Sequence, residues 1–195
     1  MKIDKELLDT TSKAFKDYLV SLGYKNERTV PITNHRVPKR SGKNDEKHEL
    51  KWLVDPRGSL VEIWRNSWSY CSTNSPISQA YISVTNPGVV KGWHCHLKQT
   101  DRFFCVRGKV MLVTFDAREA FFSDKLDFDY QITILDSEKN PETIIIPPGV
   151  VHGWKALGQE DSWVLNLVSH EYDGTDEWRC DPHSHAFNWN RRFDG

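Results

Sequence analysis

No stretch of this chain has the roughly 18 to 20 consecutive apolar residues that carry a helix across a bilayer, which argues against an integral membrane protein. It also lacks an excess of charge of either sign. Its 26 Lys and Arg stand against 27 Asp and Glu, a formal net charge of -1, so composition gives no reason to expect a nucleic-acid or anionic-membrane partner. The four cysteines, Cys71, Cys95, Cys105 and Cys180, form no C-x-x-C pair, and no Asn-x-Ser/Thr glycan acceptor occurs. The charged start MKIDKELLDTTSK has no apolar stretch of the kind a secretion signal needs. Together these absences point to the cytoplasm and to reduced thiols, with Cys95 and Cys105 expected as core packing.

The 195 residues suffice for one substantial core with an appended segment, read as residues 1–45 followed by a domain over 46–195. Leu8, Phe15, Leu19 and Leu22 fall at helical intervals, so one amphipathic helix is expected from Asp4, its N-cap, to a stop at Gly23. Residues 24–43 carry six Lys or Arg against one Glu, two prolines and a Ser-Gly, and read as an exposed basic connector. Beyond Lys51 come short apolar or alternating runs: LVEIWR, ISQAYISV, RFFCV, KVMLVTF, YQITIL, TIIIP and WVLNLV, divided by Gly, Pro, Asn and Asp. Many short strands with turn signals and one clear helix predict an all-β sandwich or barrel.

The segment GWHCHLKQTD, residues 92–101, concentrates the chemistry. Side chains alternate along a strand, so His94 and His96 share one face while Trp93 and Cys95 take the other. Asp101 opens the next apolar run, and His152 follows the turn made by Pro147, Pro148 and Gly149. His170, His183 and His185 lie in a polar stretch and are expected at the surface.

Gly88, His94-x-His96, Asp101 and Gly108, with Pro147-x-Gly149-x-x-His152, resemble the two signature motifs of the cupin superfamily, with Asp101 in place of the usual Glu and Ala156 in place of Asn. That resemblance implies a double-stranded β-helix, or jelly roll, here with an N-terminal α-helix. Roughly residues 50–190 are similar to the dTDP-4-dehydrorhamnose 3,5-epimerase family. DPRGSLVEIW resembles its DxRGxFxE segment, SQAYIS its Q-x-N-x-S strand, VVKGWHCH its RGLHxQ, IPPGVVHGW its IPxGFxHGF and EWRCDP its WND segment. The resemblance implies a nucleotide-sugar substrate and a homodimer. It puts Arg57, Glu62, Gln79, Lys91, His152 and Asn166 at substrate-binding positions, His94 at the base and Asp181 at the carboxylate that orients it. This chain departs where the family has its lysine, here Asp101, and its catalytic tyrosine, here Asn166.

Removing a proton beside a ketone needs a base, a cation or donor for the enolate oxygen, and an acid on the opposite face. His94 meets the first need. Arg102 or Lys91 are candidates for the second, and Tyr81 or Tyr172 for the third. Three readings stay open: an epimerase or isomerase acting beside the 4-keto group of a nucleotide-linked deoxyhexose without a cofactor; a small-molecule cupin enzyme using a divalent transition metal on His94, His96, Asp101 and His152; and a nucleotide-sugar-binding protein without activity.

Overall fold

The computed structural model describes residues 9–26, 46–65, 76–123, 128–139 and 141–191, with the side chains of 46–49 and 122–123 left aside. Asp4, Leu8, Cys71 and most of the basic connector lie outside these residues.

In chain order the elements are helix α1 (Lys13–Ser21), strands β1 (Lys25–Asn26), β2 (Glu46–Glu49), β3 (Trp52–Asp55), β4 (Gly58–Val61), β5 (Gln79–Thr85), β6 (Val90–His96), β7 (Asp101–Arg107) and β8 (Lys109–Asp116), helix α2 (Ala117–Ser123), then β9 (Gln131–Asp136), β10 (Glu142–Ile146), β11 (Val150–Leu157), β12 (Ser162–Val168) and β13 (Glu177–Arg179). Two antiparallel sheets face each other, one ordered β1-β13-β6-β11-β8-β9 and the other β2-β10-β7-β12-β5. This is the all-β jelly roll that the strand pattern and the motifs imply. No helix among the described residues is long and apolar enough to cross a membrane.

The six-stranded sheet buries apolar side chains on both faces. Outward, Trp93, Cys95, Met111, Val113, Phe115 and Val151 form a core with Phe15 and Leu19 of α1 and with Trp178 and Trp189 of the C-terminal stretch. The helix therefore covers a sheet face that would otherwise be wet, each such side chain contributing about 1.5–3 kcal/mol by burial. Inward, Val110, Leu112, Val150 and Trp154 meet Phe103, Cys105, Ile144, Ile146 and Val164 of the other sheet.

Two expectations change here. The helix starts at Lys13, not after Asp4, because Ser12 caps it through Phe15 N–H, while the Asp9 carboxylate accepts Thr11 N–H and holds the preceding residues in a turn. The connector does not begin exposed: Tyr24 is buried, and Lys25 and Asn26 pair with Arg179 and Trp178. Strands β3 and β4 form a separate two-stranded hairpin on which Leu53, Val54 and Leu60 are more than half exposed.

Candidate active site

Strand register assembles the site. His94 on β6 is the partner of His152 on β11 and of Arg179 on β13, while His96 is the partner of Glu177. His152 in turn pairs with Thr114 on β8. Register partners project to the same side, so a polar row of Arg179, His94, His152 and Thr114 runs across the inner face of the sheet. His152 and Trp154 share that face by alternation, and between them the pairing with β6 shifts, the step from His94 to Lys91 opposing the shorter step on β11. The shift falls at Gly153, where a Cβ would come within about 3 Å of the Gly92 backbone, so the close approach of β6 and β11 depends on glycine.

The turn before β11 is fixed just as firmly. Gly149, at φ +77°, donates its N–H to the His96 carbonyl at 2.8 Å, and a Cβ there would strike the Arg118 side chain. Arg118 makes a buried pair with Asp116, Nε to Oδ1 at 2.9 Å and Nη2 to Oδ2 at 2.8 Å. After β6, the Asp176 carboxylate accepts the N–H groups of Leu97, Lys98 and Gln99 at 2.9–3.2 Å. These contacts hold both ends of the histidine pair.

From the facing sheet come Asp101, Asn166 and Tyr81. Asp101 Oδ2 lies 3.2 Å from His152 Nε2, both side chains nearly inaccessible to solvent. Asn166 donates Nδ2–H to Asp101 Oδ1 and to the Tyr81 hydroxyl, and its Oδ1 accepts Arg102 N–H at 3.0 Å. His152 Nδ1 faces the Val150 carbonyl at 3.3 Å and His96 Nδ1 the Asp176 carbonyl at 3.1 Å. The rings of His96 and His152 stack with centroids 5.8 Å apart, and His94 meets His152 edge-on at the same distance. His94 is the most accessible of the three, half-buried beside Trp154.

Of the residues singled out in the sequence, the structure brings together His94, His96, Asp101, His152 and Asn166. Gln79 sits one inward position from Tyr81 on β5 and accepts Tyr172 N–H at 3.0 Å. Lys91 donates to Ser83 Oγ at 2.9 Å and to the Val84 carbonyl at 2.6 Å, tying β6 to β5 across the mouth of the barrel. Arg57 and Glu62 belong to the exposed hairpin region and pair there with Asp55 and Arg65.

Several readings need correction. Asp181 does not orient His94: its carboxylate is exposed and accepts His183 N–H at 2.7 Å in a turn, because the chain leaves β13 at Arg179. Arg102 turns to the other face of β7, where its guanidinium lies 4.5 Å over the Trp64 ring, so it offers no charge inside the barrel. The four-ligand metal set reduces to three, because His96, Asp101 and His152 place ligand atoms within 4.8 Å of one another and His94 stays outside that group. His185 is not a surface residue. It is half-buried, its Nε2 3.1 Å from the Tyr24 hydroxyl, with Trp93, Phe115 and Phe128 around it.

Glu177 and Arg179 were missed, although strand alternation over EWR would have put both on one face. Their ion pair, 2.9 Å from Nη2 to Oε1, lies along the inner face next to His96 and His94, with the Glu177 side chain 2% exposed. Cys95 and Cys105 pack in the core as expected, and burial pushes the Cys105 thiol up to about 11.

The geometry defines a buried polar cluster between the two sheets of a jelly roll. A family model described as dTDP-4-dehydrorhamnose 3,5-epimerase matches residues 47–192, and the chain belongs to that family. It is 35% identical over 156 residues to the probable low-salt glycan biosynthesis epimerase Agl13 of Haloferax volcanii, covering 77% of this chain and 96% of that protein. It is 32% identical over 143 residues to the spore coat polysaccharide biosynthesis protein SpsL of Bacillus subtilis, covering 71% and 90%. Among solved structures it is similar to dTDP-4-dehydrorhamnose 3,5-epimerase from Sulfolobus tokodaii, with a TM-score of 0.64, 28% identity, and 80% and 86% coverage.

Proposed function

We propose that this nucleotide-sugar epimerase inverts a carbon beside the 4-keto group of a nucleotide-linked 6-deoxyhexose, with His94 as the base. The observation that carries the reading is the placement of His94: half-buried on the inner face of one sheet beside His152, whose partner Asp101 is joined through Asn166 to the hydroxyl of Tyr81 on the other sheet. A carbon bound between the sheets would lose its proton to one side and gain one from the other, which is what inversion requires. Tyr81 supplies the returning proton. Its oxygen accepts from Asn166, which leaves the phenolic hydrogen to be given elsewhere. The reaction moves protons without net redox change, so it calls for no redox cofactor.

Gln79, His152 and Asn166 bind the sugar, and Lys91, anchored at the barrel mouth, keeps an ammonium near the substrate phosphates. Arg57 and Glu62 contact the nucleotide of a second copy in a homodimer. The half-exposed Leu53, Val54 and Leu60 of their hairpin region support that assembly, since a contiguous apolar surface of this kind is commonly an interface. Free Cys95, Cys105 and Cys180 fit a cytoplasmic enzyme. The names of the two relatives, glycan and spore coat polysaccharide biosynthesis, support a place in polysaccharide assembly.

The test is incubation with nucleotide-linked 4-keto-6-deoxy sugars followed by NMR of the product. A C3 or C5 epimer is expected. Binding that raises the melting temperature without any epimer would instead favour a binding protein.

A further inference from the structure

Two backbone bonds join Trp93 and Cys180, the N–H of each donating to the carbonyl of the other at 2.8 and 3.0 Å. In an antiparallel ladder the next pair along, His94 with Arg179, is then of the non-hydrogen-bonded kind, whose Cα atoms approach to about 4.5 Å and whose side chains lie closest. Trp93, Cys95 and Trp178 belong to the outer core, so His94 and Arg179 stand side by side on the inner face. Glu177 pairs with His96 in the same way. Its Oε1 accepts from Arg179 Nε at 3.2 Å and from Nη2 at 2.9 Å.

The two members of that ion pair are unequally buried. The Glu177 side chain is 2% exposed and that of Arg179 34%, so the carboxylate is enclosed while the guanidinium borders space that a substrate can enter. A carboxylate so dry needs its cation, and by gripping the Nε–Nη2 edge it turns the Nη1 side of the planar fork away from itself. Glu177 thus braces a positive charge next to the base.

We propose that Arg179 is a catalytic residue: its guanidinium donates to the oxygen of the substrate's 4-keto group and holds the negative charge that forms there. The role rests on the epimerase reading. When His94 takes the proton from the carbon beside the ketone, the C–H electron pair becomes the carbon–carbon double bond and the carbonyl π pair moves to oxygen. Tyr81 returns a proton to the opposite face as the carbonyl re-forms, and both residues recover their starting protons through solvent. Arg179 stays charged throughout. The enolate oxygen hangs on the atom next to the carbon that loses its proton, so the cation belongs beside the base, where register puts Arg179. Other cations stand elsewhere: Lys91 reaches Ser83 and the Val84 carbonyl, Arg102 stacks on Trp64, and Arg118 is buried with Asp116. Asp101 occupies the place of the family's lysine, and Arg179 brings positive charge in from a different strand.

The experiment uses the full chain and measures epimerisation, and deuterium uptake at C3 and C5, with 4-keto-6-deoxyglucose linked to dTDP, UDP or GDP. The double variant Glu177→Gln/Arg179→Gln replaces the ion pair by two neutral amides and strands no buried charge, while Arg179→Lys keeps the charge and loses the fork. In the double variant kcat and the exchange rate should fall roughly 10²- to 10³-fold, with KM changed less than about threefold. Arg179→Lys should retain more activity than the double variant. Arg179→Ala, confirmed as folded by circular dichroism, should regain part of its lost rate when guanidinium chloride is added at a non-denaturing concentration. Arg107→Gln, which alters an exposed pair with Glu160, should match wild type. An unchanged kcat in the double variant overturns the proposal, and so does a rise in KM alone, which would place Arg179 on the phosphates. Exchange by wild type that survives in the variants removes Arg179 and leaves the epimerase reading intact, whereas no exchange by wild type with any of the three sugar nucleotides defeats that reading and this role together.

Discussion

Asn166 donates its side-chain amide to Asp101, so the two positions at which this chain departs from the tyrosine and lysine of the family pattern are bonded to each other. Asn166 also accepts Arg102 N–H and donates to Tyr81, which makes it the hinge of a polar network spanning three strands. Asn166→Ala leaves a buried carboxylate and a buried N–H without this partner. The expected cost is about 1–3 kcal/mol, read from urea unfolding.

Tyr81→Phe removes the proposed acid while keeping the ring. Epimer formation should fall roughly 10²- to 10⁴-fold. Because His94 still removes the substrate proton, deuterium should continue to enter recovered substrate of unchanged configuration. Parallel loss of exchange and inversion would show that Tyr81 does not act as the acid.

Asp116 and Arg118 form an ion pair whose side chains are 3% and 5% exposed. Truncation to Asp116→Ala strands a guanidinium against the Gly149 turn, and a loss of about 3–5 kcal/mol is expected. The double variant Asp116→Ala/Arg118→Met should recover part of it, as measured by denaturant midpoints.

Phe15 of α1 is fully buried against the outer face of the six-stranded sheet. Phe15→Ala should destabilise the whole protein by about 3–5 kcal/mol in a single transition. Loss of the helix signal in a separate, earlier step would mean that the segment folds apart from the barrel.

Burial lowers the His185 pKa from its ordinary 6.5. The unfolded chain therefore binds the proton more readily than the folded one. This group's share of stability is complete above pH 6.5 and is lost as pH falls from there through the depressed folded value. His185→Gln should flatten that acid limb of the melting temperature, with little change in slope above pH 7.

Much of this was legible in the sequence because a strand has period two. Alternation alone put His94 and His96 on one face with Trp93 and Cys95 on the other, and the structure has them so. His152 and Asp101 were reachable through motif spacing. What escaped was set by packing between distant segments. Asp181 carries the right chemistry one turn too late, because nothing local marks the end of β13 at Arg179. The helix start depended on Ser12 winning the cap, a choice made locally where periodicity admits both. His185 looked polar and solvated, yet Tyr24, some 160 positions away, and three aromatic rings enclose it.

The central claim is that His94 removes the proton beside the ketone. Its most direct test is deuterium uptake from heavy water at C3 or C5 of a nucleotide-linked 4-keto-6-deoxy sugar, followed by NMR. Wild type should take up deuterium, and folded His94→Ala should show none above the uncatalysed background. Undiminished uptake in His94→Ala, or no uptake by wild type with any such sugar nucleotide, would contradict the account.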